Sequence, residues 1–168
     1  ATLAFVLVGQ GRHAEAERWG QEAVEKWRAN MRRGLPWWIE LAPGLAARGL
    51  GRAEEGAALL AFAARGQRRE TILVAGEAAP WGPWDGLPWA ALLACDQGRI
   101  ELAAALWAGA ARRPLVGNSR WFHDVVWRPI EAAAAATLGP WAIQAALARG
   151  RATDWAATRA AWLAELGV

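Results

Sequence analysis

His13, His123 and Cys95 supply the only imidazoles and the only thiol in the 168-residue chain, so acid–base, nucleophilic or metal chemistry would have to be assembled around them. Asp124 follows His123 and could orient it as a general base, but such a base needs a nucleophile within hydrogen-bond reach. Ser119 is the nearest hydroxyl in sequence, and it reads as a helix N-cap. Cys95, between Ala94 and a turn, reads as a small buried side chain. A zinc site takes four ligands, and here most would have to be carboxylates. Glu15, Glu17, Glu54 and Glu55 fall in first helical turns, where a carboxylate favours the helix dipole and needs no catalytic explanation. No Gly-rich loop of the phosphate-cradling form, no helix-turn-helix with a basic reading face and no placeable pair of cyclase carboxylates occurs. The expectation is a protein that is not an enzyme and uses no metal or cofactor.

The cations point the same way. There are 19 Lys and Arg against 16 Asp and Glu, a net charge of +3 with a pI near 10.3. Lys26 is the only lysine and Tyr is absent, so almost nothing titrates between neutrality and the Arg range, and a small imbalance yields an extreme pI without a strong basic field. The doublets Arg32-Arg33, Arg68-Arg69 and Arg112-Arg113 adjoin expected helix ends, where cations complement terminal carbonyls. A nucleic-acid partner is not expected. The apolar run Leu3 to Val8 is far too short to span a bilayer and lacks signal-peptide flanks, so the expected setting is cytoplasmic, without membrane contact.

The positions of these side chains follow from elements that glycine and proline mark out. Hydrophobic content of 55% excludes disorder, one Cys excludes a disulfide framework, and the length suffices to bury roughly 70% of the unfolded surface. Roughly a quarter of the residues are Ala, the best helix former, and no long stretch alternates with period two. The chain reads as all-α, one domain over residues 1–168. Its units span about 1–34, 36–79 and 88–113, followed by helices over 119–138, 140–149 and 153–166. Ala16, Trp19, Ala23 and Trp27 mark one buried helix face; Pro43 is expected to kink or restart its helix, and Thr153 to cap the last one.

Three turns superimpose without gaps: Gly11-Arg12-His13-Ala14-Glu15-Ala16, Gly51-Arg52-Ala53-Glu54-Glu55-Gly56 and Gly98-Arg99-Ile100-Glu101-Leu102-Ala103. Each joins a short apolar helix to a longer amphipathic one. The small residue ending each block is followed four and seven residues on by Gly20 and Ala23, by Leu60 and Ala63, and by Trp107 and Ala110, spacings that let paired helices approach closely. Each such hairpin exposes an apolar face until a neighbour covers it.

These blocks resemble the tetratricopeptide-type repeat, whose second helix carries small, large and small residues at such intervals. The resemblance implies antiparallel helical hairpins stacked as a short TPR-like right-handed solenoid, here with irregular and longer unit spacing. Gly98 to Ala111 and Leu138 to Arg151 further resemble the helical-repeat tail of large bacterial ATP-dependent transcriptional activators and related nucleotide cyclases. In that family a Gly-Arg turn leads a helix ending in Gly-Ala-Ala, and a later Leu-Gly helix ends in Gly-Arg. The chain departs from it at Leu147, where an aromatic is usual, and at Pro129. The resemblance implies a regulatory platform that receives a protein or small effector and relays it to domains of the same larger polypeptide.

Of the thirteen Trp residues, eleven fall into two groups. Trp19, Trp27, Trp107, Trp141, Trp155 and Trp162 lie on helix faces and are expected to be core aromatics. Trp37, Trp38, Trp81, Trp84 and Trp89 cannot all face one core; those of the Pro-rich loop either pin it to the helices or form a recognition surface. Aligned on Gly51 and Gly98, the first helices of two units place Trp38, Leu41, Leu45 and Arg48 on one face, and Asp85, Pro88, Leu92 and Cys95 on another. With Trp84, these residues form a candidate groove for a protein or peptide partner. The alternatives are a Trp- and Arg-lined pocket for an aromatic or anionic effector, and a groove filled permanently by later helices or the Trp-rich loop.

Overall fold

The structure, a computed structural model, describes residues 1–30, 37–65, 86–155 and 157–168, with the side chains of Trp37, Trp38, Arg65 and Arg159 left out. Among the described residues it is all helical, without a strand. The helices are α1 (Thr2–Gly9), α2 (His13–Asn30), α3 (Trp37–Gly49), α4 (Ala53–Arg65), α5 (Leu87–Asp96), α6 (Ile100–Ala110), α7 (Pro114–Gly117), α8 (Arg120–Phe122), α9 (Arg128–Thr137), α10 (Pro140–Ala152) and α11 (Arg159–Leu166), with a π-helical turn, His123–Trp127, between α8 and α9. The sequence places a further helix over 66–79 and the Pro-rich loop over 80–88; residues 66–85 lie outside the described residues.

The three Gly-Arg turns adopt one conformation. Gly11, Gly51 and Gly98 have φ of 72°, 80° and 74°, a left-handed backbone that favours glycine because it carries no Cβ. In each, the glycine N–H donates to the carbonyl three residues back and the arginine N–H to the carbonyl five back: Gly11 to Val8 and Arg12 to Leu7, Gly51 to Arg48 and Arg52 to Ala47, Gly98 to Cys95 and Arg99 to Ala94. Three helices thus end in the same Schellman geometry, which satisfies carbonyls the helix would otherwise orphan.

Each of the first six helices packs on its sequence neighbour, and α6 then packs on α9 and α10. Close approach rests on the small residues. A Cβ at Gly20 of α2 would fall 2.7 Å from Cγ of Pro43 on α3, and one at Gly150 of α10 would collide with the Ala105 carbonyl oxygen of α6. Pro43 lies within a single helix, Trp37–Gly49, which it does not restart. One apolar cluster runs from Leu7 in α1 to Leu166 in α11, with Trp89, Leu92 and Leu106 among its fully buried members.

Several expectations are corrected. The buried face of α2 runs through Ala16 and Gly20; Trp19 is displaced to the exposed side, where Arg18 lies over its ring at 5.5 Å, because the approach of Pro43 leaves room only for Gly20. Trp141 is 89% exposed, since α10 turns Ala146 and Gly150 toward α6. Trp89, grouped by sequence with the loop, is buried in α5. Thr153 ends α10, its Oγ1 donating to the Arg149 carbonyl at 2.8 Å, and the last helix starts only at Arg159.

Trp107, at the large position of the third unit, is 7% exposed and stacks on Trp127 at 5.9 Å. Trp107→Ala is expected to cost about 3–5 kcal/mol in denaturant unfolding, as for other buried aromatics; a loss near zero would show that the third unit does not depend on it. Gly51→Ala is expected to cost about 1–2 kcal/mol from the left-handed backbone alone, since a Cβ there meets nothing within 4 Å.

Candidate functional site

The face that α1, α3 and α5 turn away from their hairpin partners is where a groove would lie. At its α1 and α5 ends the chain covers this face itself. Ser119 accepts the Phe122 N–H at 3.4 Å and so caps α8 as its sequence position suggests. From there the Trp121 indole reaches α1, donating to the Phe5 carbonyl at 2.8 Å, with its ring 5.7 Å from Phe5 and against Gly9. Trp121 and Phe122 also lie 6.4 and 5.7 Å from Trp89 of α5. Further on, α9 lies along α5, bringing the Pro129 carbonyl 4.0 Å from Cys95 Sγ.

The π-helical turn makes this cover continuous. Phe122, Val126, Ile130 and Ala134 are all buried. Residues four apart drift by roughly 40° per step around an α-helix, so four such positions would not stay on one side. A π turn holds more residues and takes back part of that drift. Pro129, which lacks an N–H, then falls in the first turn of α9, where none is required. The helix expected over 119–138 is therefore three pieces, joined where the apolar stripe demands it.

The candidate groove residues separate accordingly. Leu41, Leu45 and Leu92 are interior, members of the shared core cluster, and offer no open surface. The aligned Pro88 is interior too. Trp84, Asp85 and the Trp38 side chain lie outside the described residues. Arg48 does not face a vacant groove: its Nε and Nη2 each lie 2.7 Å from a carboxylate oxygen of Asp96, at the end of α5. Burial would lower the Arg48 guanidinium, but the hydrogen bonds and charge of Asp96 outweigh it and hold it above its ordinary value. The pair is only about a quarter exposed and ties the end of α3, the first helix of the second unit, to the end of α5, the first helix of the third.

The same edge carries other links. Arg12 and Glu15 form two hydrogen bonds of 2.7 and 2.6 Å, Arg52 joins Glu55 of its own unit and Glu17 of α2, and Arg99 meets Glu165 in α11. Of the arginines that follow the turn glycines, Arg52 and Arg99 thus tether one helix to another, while Arg12 pairs within the first turn of its own helix. Nearby, Gly98, Arg99, Glu101, Leu102, Thr137, Leu138 and Glu165 edge an open depression of about 410 Å³.

His123 is half exposed, its Nδ1 3.9 Å from Asp124. That carboxylate is engaged by Arg128 at 2.9 Å and Arg120 at 3.4 Å, so it serves as a hub for two guanidiniums rather than as the dedicated partner of an imidazole. Among the described residues no group of His, Cys, Asp and Glu converges as metal ligands would, and no helix is long and apolar enough to cross a membrane. Comparison with family models, with curated proteins and with solved structures gives no match.

Neither Trp121 nor Asp96 carries a local sequence signal for its contact, because their partners Phe5 and Arg48 are 116 and 48 positions away; the four-residue spacing from Phe122 to Ala134 marks only the buried stripe beside Trp121.

Burial, with the nearby Asp96 charge, raises the Cys95 thiol above its ordinary value against a smaller opposing effect of Arg48. Cys95 is therefore expected to remain protonated at neutral pH and to react with iodoacetamide at least about tenfold more slowly in the folded chain than in denaturant. The folded rate should climb only above the ordinary thiol range; equal folded and unfolded rates at neutral pH would contradict this environment.

Proposed function

We propose that this chain is a non-enzymatic interaction or effector-sensing module of a bacterial signalling or transcription regulator, built from tetratricopeptide-like hairpins stacked as a short right-handed solenoid. The observation that carries the reading is the threefold turn. Gly11, Gly51 and Gly98 share one backbone conformation and one hydrogen-bond pattern, each joining two successive helices, α1 to α2, α3 to α4 and α5 to α6. Packing of successive helices supports it, as do the ion pairs from Arg52 to Glu17 and from Arg48 to Asp96, which link one hairpin to the next. The resemblance over Gly98 to Arg151 supplies the bacterial regulatory setting, and two of its landmarks fall at element boundaries: Gly98 at the turn into α6 and Gly139 at the N-cap of α10.

Such a stack contributes rigid surface rather than reacting groups. With part of the inner face covered by α8 and α9, the surfaces left for a partner are the outward helix faces and the charged turn edge. The alternative, an effector pocket lined by Trp and Arg, is less well supported. The depression beside Gly98 is open, holds no Trp, and its Arg99 is paired with Glu165.

In the purified chain no turnover of ATP, of a nucleotide or of an ester is expected that His123→Ala would reduce, and no rise in Tm with aromatic or anionic small molecules. Photo-crosslinkers at the exposed positions Gln21 and Ala58 are expected to capture a protein in the cell of origin. Turnover lost on His123→Ala, or ligand-dependent stabilisation without any protein adduct, would overturn the reading.

A further inference from the structure

We draw no further inference here: the strongest candidate, the exposed apolar face of α10 formed by Trp141, Ala145, Ala148 and Ala152, carries none because nothing in the structure shows what covers it.

Discussion

A helix that ends against a core must satisfy its last carbonyls and reverse the chain within a few residues. Few backbone conformations do both. This chain uses one of them three times, with glycine in the left-handed region followed by arginine. The glycine sets where each hairpin reverses, and therefore which residues of the second helix lie opposite which of the first. Gly56 against Arg48 and Gly44 against Leu59 occur where they do because the turn at Gly51 sets that register. The arginine, placed just beyond the turn, reaches carboxylates on its own helix or on a neighbouring one.

Packing follows from side chains that are mostly Ala and Gly. Such helices fill space by approaching closely, and a few large residues close the gaps that remain. Trp107 on Trp127 and Trp89 on Phe122 are gap-closers of this kind. The same economy explains the reach of α8, the π-helical turn and α9 along the first helices: apolar surface on α1 and α5 that small residues cannot cover is met by Trp121, Phe122 and Val126.

The electrostatics of the chain are less basic in effect than its pI suggests. Arg12, Arg48, Arg52 and Arg99 face carboxylates in pairs along the turn edge. Most of these pairs are substantially exposed and contribute little stability each. Arg48 with Asp96 differs in being only about a quarter exposed and doubly hydrogen-bonded, so it also sets the spacing of two units.

The local physics of the chain was legible in its sequence. Helix class, the three turns, the Ser119 cap and the small residues at Ala16, Gly56 and Ala103 all depend on propensity, backbone conformation and side-chain volume, which residue identity sets within a few positions. Periodicity also marks which side of a helix is apolar, but it carries no information about which neighbour arrives there. Trp19 and Trp141 read as core and proved exposed, whereas Trp89 read as loop and is buried, because the approach of Pro43, α6 and Phe122 decides each case. Leu41, Leu45 and Leu92 share helical faces with groove character in sequence, yet they are interior because helices distant in the chain pack around them. Arg48 found Asp96 for the same reason. Contacts over such separations are chosen by the packing of the whole chain, and only the tertiary structure decides them.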